Sequence, residues 1–150
     1  MKISVVKESV DGAKRDVFVF YSEDQFNKLK NSASKDYEKE VAKKIGKNEF
    51  CGKQGQLTKL NYGEKRIFLV GLGKDKGLDG ERVRRSSAVV VNNCICMKIE
   101  NFFVCLDVVG IEQKDVARYV GEGLLLGEYR FDKYKTENKK ERVKLKDVGL

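Results

Sequence analysis

The chain has 150 residues, of which 41% are hydrophobic and 36% are charged, and its formal net charge is +8. This composition is typical of one folded domain with a charged surface, and no run approaches the roughly 20 apolar residues that span a membrane. The sequence has no histidine, which excludes Ser-His-Asp catalysis, Cys-His catalysis and a histidine general base. Because no secretory leader follows Met1, we expect a soluble cytoplasmic protein without membrane partners.

The first third of the chain predicts a buried strand and a charged helix. The run Asp16–Tyr21, DVFVFY, is dense in β-branched and aromatic residues, which indicates a strand covered on both faces. In residues 35–47 the apolar positions Tyr37, Val41 and Ile45 recur every four residues. That spacing predicts a helix with one apolar stripe.

The middle of the chain predicts a loop that enters a strand or a hairpin arm over residues 50–62, followed by a central strand. The short apolar run Arg66–Val70 is typical of a strand inside a covered sheet, and Gly71, Leu72 and Gly73 follow it directly. A dinucleotide-binding fingerprint would need a further glycine at the position of Lys76. A tight turn that uses glycine for its backbone angles is therefore favoured.

A helix is predicted over residues 80–98, with Asp79 as its cap. Its apolar stripe comprises Val83, Ser87, Val90, Cys94 and Met97. Arg82, Arg84 and Arg85 crowd its first turn, where the helix dipole makes cations mildly unfavourable. The arginine cluster is either a solvated face or a binding site for an acidic or phosphate group.

The last predicted helix covers residues 112–130 and contains Gly121, Gly123 and Gly127. Each glycine in a helix interior costs about 1 kcal/mol relative to alanine. We therefore expect the backbone to approach the sheet or another chain here. The leucines at 124–126 make this helix apolar nearly all round, which predicts burial on more than one side.

The aromatic residues after these glycines are expected to be buried, since burial of Tyr129, Phe131 and Tyr134 would offset the glycine cost. Residues 139–148 predict an edge strand protected by lysines. Strands and helices alternate along the whole chain, which predicts an α/β fold with a mixed sheet and helices on both faces.

The cysteines are expected to act as small buried apolar residues. Cys51, Cys94, Cys96 and Cys105 form no C-x-x-C pair, and the lack of histidine disfavours a zinc finger. Acidic residues and lysines are plentiful, yet no pair stands out by its spacing. We therefore assign no catalytic, cofactor-binding or metal-binding residue in this chain.

Three segments together carry a family resemblance: RIFLVGLGK (66–74), ERVRRSSAVVV (81–91) and GEGLLLGEYRFDKYK (121–135). They resemble the N-terminal domain of the leucyl (cytosol) aminopeptidases, peptidase family M17, and the resemblance extends over about residues 17–148. It implies a fold like that of macro domains. It also implies that residues 1–150 form a single non-catalytic domain, with the catalytic domain absent from this chain.

The resemblance implies a hydrolase function for the full-length parent. Members of this family are cytoplasmic metalloproteases that remove N-terminal residues, with a leucine-type preference, from peptides. They assemble as hexamers and hold two divalent metals (zinc, manganese or magnesium) in the catalytic domain. The motifs that bind those metals are absent from these 150 residues, so the fragment alone is expected to be inactive.

Two other functions remain open. The turn at Gly71–Gly73 and the macro-like fold would also suit a free-standing module that binds ADP-ribose or a related nucleotide, although fold analogy is weak support for function. Residues 51–100 carry 10 basic and 5 acidic side chains, which would suit a nucleic-acid-binding domain.

Overall fold

A computed structural model describes residues 2–4, 10–46, 49–108, 110–134 and 147–149 of the chain. Its elements in chain order are β1 (Lys2–Ser4), β2 (Asp16–Tyr21), α1 (Glu23–Ser32), α2 (Asp36–Lys44), β3 (Leu57–Tyr62), β4 (Lys65–Gly71), α3 (Gly80–Cys96), β5 (Asn101–Cys105), α4 (Gln113–Tyr134) and β6 (Asp147–Gly149). The predicted alternation of strands and helices is confirmed.

The strands form one sheet in the order β1-β6-β5-β2-β4-β3. Among the described strands, the β3–β4 hairpin is antiparallel and the other neighbouring pairs run parallel. The sheet is therefore mixed, as expected. Strand β2 lies between β4 and β5, and its residues 17–21 are buried, which confirms that its continuous apolar run is covered on both faces.

The prediction of an edge strand over residues 139–148 is wrong for residues 147 and 148, which the structure describes as part of β6. Strand β6 lies inside the sheet, because it pairs with β5 on one side and with β1 on the other. The edge positions of the sheet belong to β1 and β3. Residues 139–146, which carry most of the predicted lysine protection, lie outside the described residues.

Side chains of β2 alternate between two core layers, as the strand pleat requires. Phe18 and Phe20 point into the layer under α3 and α4, whereas Val17 and Val19 point into the layer under α1 and α2. In the first layer the Phe18 ring stacks on that of Phe68, with 4.6 Å between their centroids. Helices thus cover both faces of the sheet, and the apolar residues of both layers exclude water from it.

Lys65 fastens the β1–β2 connection to the start of β4. Its side chain is buried, and its ammonium donates hydrogen bonds to the carbonyl oxygens of Val10, Asp11 (3.0 Å) and Ala13 (2.8 Å). Three carbonyl oxygens take the place of the water molecules that hydrate an exposed ammonium group, which offsets the cost of burying the charge. The lysine therefore holds the approach to β2 in place at the amino end of the sheet.

Helix α3 has well-defined ends. At its start the Asp79 carboxylate accepts a hydrogen bond from the backbone N–H of Arg82 at 3.1 Å, which confirms the predicted cap. At its end Lys98 has φ of +58°, and the Ile99 N–H donates to the Cys94 carbonyl at 2.8 Å. This left-handed ending usually uses glycine, because a Cβ is unfavourable there.

We expect Lys98→Gly to raise the free energy of unfolding by about 0.5–1 kcal/mol, since glycine relieves the left-handed strain. Urea unfolding followed by circular dichroism would measure the change. Lys98→Ala is the matched control, because it removes the charge but keeps the Cβ. Equal stabilities of the glycine and alanine variants would contradict the strain argument.

Candidate interaction surface

The carboxyl edge of the sheet is where open α/β folds usually bind ligands. In this chain the segment before β3 packs across the end of β4. Gly71 and Gly73 donate backbone hydrogen bonds to the carbonyl oxygens of Gln56 and Gly52, each at 2.8 Å. A Cβ added to Gly71 would lie 1.9 Å from the carbonyl oxygen of Lys53. The glycine turn therefore serves internal packing.

Helix α3 closes the same edge from the other side. The buried hydroxyl of Ser86 donates to the Gly71 carbonyl at 2.8 Å, and the Gln54 side-chain amide donates to the Ser86 hydroxyl at 3.0 Å. Glu23 at the start of α1 donates its N–H to the Gly73 carbonyl at 2.9 Å. These backbone groups are satisfied within the chain, and they are not presented to a phosphate.

The arginine cluster of α3 is largely occupied by contacts within the domain. Arg82 donates to the carbonyl oxygens of Lys74 and Lys76, so it holds the β4–α3 loop. Arg84 and Arg85 both reach the Glu81 carboxylate, at 3.3 and 3.2 Å. The three arginines therefore do not point outward as one patch. The Arg85 side chain is 71% exposed, compared with 30% for that of Arg84.

Helices α3 and α4 approach each other closely at two of the three glycines. A Cβ on Gly123 would lie 2.4 Å from the Arg84 carbonyl oxygen, and a Cβ on Gly127 would lie 3.0 Å from the Ala88 Cα. A Cβ on Gly121 would have no described heavy atom within 4 Å. The close approach is thus to helix α3, and the expectation of the sheet or another chain is corrected.

A stack of charged and aromatic side chains joins the first halves of the two helices. The guanidinium groups of Arg84 and Arg118 both lie near the Tyr119 ring, with their carbons 5.2 and 4.8 Å from its centroid. Glu122 forms ion pairs with both arginines, at 3.4 and 3.9 Å. This arrangement fixes the orientation of α4 on α3.

Beyond this stack, α4 presents apolar side chains to solvent. Leu125, Leu126 and Tyr129 are 51%, 52% and 65% exposed, and we call these three residues the α4 ridge. The predictions that Tyr129 is buried and that this helix is covered on more than one side are therefore wrong. The side chains of Phe131 and Tyr134 lie outside the described residues. Tyr129 is exposed because Val116, Val120 and Leu124 occupy the buried face of α4, and the helix turns position 129 away from that face.

A shallow cleft of about 70 Å³ lies between α3 and α4, next to the α4 ridge. Its lining residues are Glu81, Arg84, Arg85, Ala88, Gly123, Leu126 and Gly127. The lining combines small residues at positions 88, 123 and 127 with charged residues at positions 81, 84 and 85. An apolar side chain of a partner would fit against the small residues, and a carboxylate would face the arginines.

On the opposite face of the sheet, Tyr21 of β2, Tyr37 of α2 and Cys105 of β5 belong to one core layer. Burial raises the pKa of both Tyr21 and Tyr37 above the ordinary range of tyrosine. Burial also raises the pKa of Cys105 to about 11, so its thiol is protonated at neutral pH. Cys94 is buried as well, but Cys96 is exposed, which corrects the expectation that all four cysteines are buried.

The tyrosine pair predicts alkaline sensitivity. A raised pKa means that the folded state disfavours the phenolate, so the stability that this burial provides is present below the unfolded pKa of about 10 and falls as pH rises beyond it. We expect the fall in free energy of unfolding between about pH 9 and about pH 11 to be smaller in Tyr21→Phe. Urea titrations at both pH values would test this; equal losses in the two proteins would contradict it. Tyr129→Phe, at a position exposed to solvent, is the control.

The described part of the chain contains no group of three or more Cys, Asp or Glu side chains that would hold a metal ion. Among the described helices, none combines the length and the apolarity needed to cross a membrane. The most distinctive surface feature of the described residues is therefore the α4 ridge with its adjoining cleft.

The sequence profile described as the N-terminal domain of the cytosol aminopeptidase family matches residues 17–138. The chain belongs to this family. A probable cytosol aminopeptidase of Aquifex aeolicus is 34% identical over 111 residues, which cover 71% of this chain and 22% of that protein. One of Alkaliphilus oremlandii is 31% identical over 150 residues, covering 93% of this chain and 30% of that protein.

Solved structures confirm the fold. A tomato leucine aminopeptidase mutant superposes over all of this chain and 32% of its own, with a TM-score of 0.70 at 18% identity. The macrodomain of Thermus aquaticus DarG superposes over 99% of this chain and 96% of its own, with a TM-score of 0.59 at 12% identity. At these identities the likeness concerns the fold alone. This member of the family spans less than a third of the length of the relatives named above.

Proposed function

We propose that this chain is the non-catalytic N-terminal domain of a cytoplasmic metallo-aminopeptidase, which removes N-terminal residues, with a leucine-type preference, from peptides. The observation that carries the proposal is the match to the N-terminal domain of the cytosol aminopeptidase family over residues 17–138. The whole chain superposes on about a third of a leucine aminopeptidase chain, which supports a division of the full-length parent into two domains. The domain's own role is in hexamer assembly and in control of access to the active site.

The metals of this activity belong to the missing catalytic domain. A bottromycin maturation enzyme, part of which has a similar fold, was solved in complex with manganese. The described residues of this chain do not fit such a site, since they provide neither histidine nor a cluster of three acidic or thiol ligands. The metal ions, whether zinc, manganese or magnesium, would supply an activated water in that domain.

Hydrolysis of leucine amide with added manganese or zinc tests this proposal. The natural full-length parent should cleave the amide, and the 150-residue chain, assayed as the control, should not. Gel filtration of the parent should show a hexamer. A natural gene product that ends with this chain and cleaves nothing would refute the aminopeptidase function.

A nucleotide-binding function is the second candidate, because the fold resembles a macrodomain over nearly the whole chain. The packing at the carboxyl edge of the sheet argues against nucleotide binding, because the polar groups of Gly71, Gly73 and Ser86 already form hydrogen bonds within the domain. Calorimetric titration with ADP-ribose decides between the two functions. Heat of binding at micromolar ligand would favour the nucleotide, and no heat at millimolar ligand would exclude it.

A nucleic-acid-binding function rests on the basic middle of the sequence. Arg82 and Arg84 are engaged inside the domain, so the structure offers Arg85 as the more accessible of these arginines. Binding to duplex DNA that weakens steeply with salt would support this role. Unchanged binding after Arg85→Ala would show that the α3 cluster is not the interface.

A further inference from the structure

We propose that the α4 ridge and the cleft beside it form the surface on which the catalytic domain of the same polypeptide docks. This inference rests on the proposed function, because it needs a polypeptide that continues into a catalytic domain. The relatives named above extend over more than three times the matched length, so such a domain has ample chain to form it. The ridge residues Leu125, Leu126 and Tyr129 are at least half exposed in the isolated domain.

The position of the ridge explains why it stays exposed. Val116, Val120 and Leu124 already satisfy the buried face of α4, while Gly123 and Gly127 bring the helix against α3. Leu125 and Leu126 lie outside that buried face, and about half of each side chain remains exposed. Large apolar side chains in solvent contribute no stability to the domain, so their place on a helix whose other faces are settled indicates a partner.

The size of the ridge favours a tethered partner over a second copy of this domain. Three side chains exposed by half to two-thirds present on the order of 300 Å² of apolar surface, given about 150–250 Å² for a whole aromatic side chain. A stable association of separate molecules buries about 800 Å² on each partner. A covalently linked domain has a millimolar effective concentration, so a small contact is enough to hold it.

The cleft specifies the chemistry of the partner surface. The cleft has a volume of about 70 Å³, which suits one small aliphatic side chain of a partner, and Ala88 and Leu126 contribute apolar atoms to its lining. Arg85 also lines the cleft, 71% of its side chain is exposed, and its ion-pair partner among the described residues is the exposed Glu81. The catalytic domain should therefore offer an apolar residue for the cleft and a carboxylate within reach of Arg85.

Hydroxyl-radical footprinting read by mass spectrometry tests the docking. Oxidation of Tyr129, Leu125 and Leu126 should be at least threefold slower in the full-length parent than in the 150-residue chain, at equal low micromolar concentration. The shorter chain serves as the reference, because its own residues build both core layers of the sheet. Tyr62, half-buried on the distant β3 hairpin, serves as an internal control and should react equally in both proteins.

A variant links the protection to the interface. Leu125→Gln combined with Tyr129→Gln should lower the melting temperature of the full-length parent by several degrees, while leaving that of the 150-residue chain unchanged. Lys114→Gln, on the exposed start of α4, is the control and should have no effect in either protein. Equal melting temperatures of the double variant and the unaltered parent would overturn the proposal.

Two further outcomes would also overturn it. Equal oxidation of the ridge in the parent and in the short chain would show that nothing covers it. Protection of the short chain that grows with its own concentration would show that a second copy is the occupant. Peptidase activity is measured separately, so a parent that protects the ridge but cleaves no leucine amide would refute the proposed function and leave the docking intact.

Discussion

Replacing Gly71 with alanine should lower the free energy of unfolding by more than about 3 kcal/mol, or prevent folding altogether. The added methyl group would lie 1.9 Å from the carbonyl oxygen of Lys53 and 2.8 Å from backbone carbons of Gly52 and Lys53. Backbone cannot step aside as a side chain can, because Gly71 and Gly73 hydrogen-bond the same segment. Urea unfolding followed by circular dichroism would measure the loss.

Gly46→Ala is the matched control for this experiment. Among the described residues, its Cβ would meet the carboxylate of Glu49 at the ordinary contact distance of 3.6 Å, and its backbone angle is not left-handed. Its stability should therefore change by no more than about 0.5 kcal/mol. A Gly71→Ala protein as stable as the control would mean that the segment before β3 does not pack on β4 as the structure shows.

Gly123→Ala should destabilise the domain by about 2 kcal/mol or more, although alanine is the better helix former. The new methyl group would lie 2.4 Å from the Arg84 carbonyl oxygen and 2.7 Å from the Ser87 Cβ. Relief of that overlap requires α4 to move away from α3, which would open the core around Val120 and Leu124. Thermal unfolding would report the change as a lower melting temperature.

Gly121→Ala is the informative partner of this variant, since both residues lie in the same helix, two positions apart. No described atom crowds position 121, so alanine should raise the free energy of unfolding by about 0.5–1 kcal/mol. Opposite signs for the two substitutions are expected. The same sign for both would show that helix propensity, and not the contact with α3, governs this part of α4.

The fold was predictable from sequence where pattern and environment agree. The run Asp16–Tyr21 correctly predicted a strand that is covered on both faces, and Asp79 correctly predicted the start of α3. The place of β6 was not predictable in the same way. Its pairing with β1 and β5 depends on long-range geometry, while the lysines that precede it gave a local signal typical of an edge.

The surface could be predicted only in part. The glycines of α4 signalled a close approach, but the sequence does not say which neighbour is approached, because helix α3 becomes that neighbour only after the sheet has formed. Tyr129 was expected inside because aromatic residues are usually buried. Helical rotation decides instead, since the face holding Val116, Val120 and Leu124 turns inward and position 129 turns outward. The family resemblance, by contrast, could be detected from three short motifs.

The insertion of β6 between β1 and β5 has a consequence for synthesis on the ribosome. Strands β2, β3, β4 and β5 can pair as soon as they emerge, whereas β1 has to wait for residues 147–149 before it meets its neighbour. Until then the outer edge of β5 exposes unpaired backbone N–H and C=O groups, which can pair with a strand of another chain. A nascent or truncated chain that ends before Asp147 should therefore depend on chaperones, even though nearly all of its core residues have already been made.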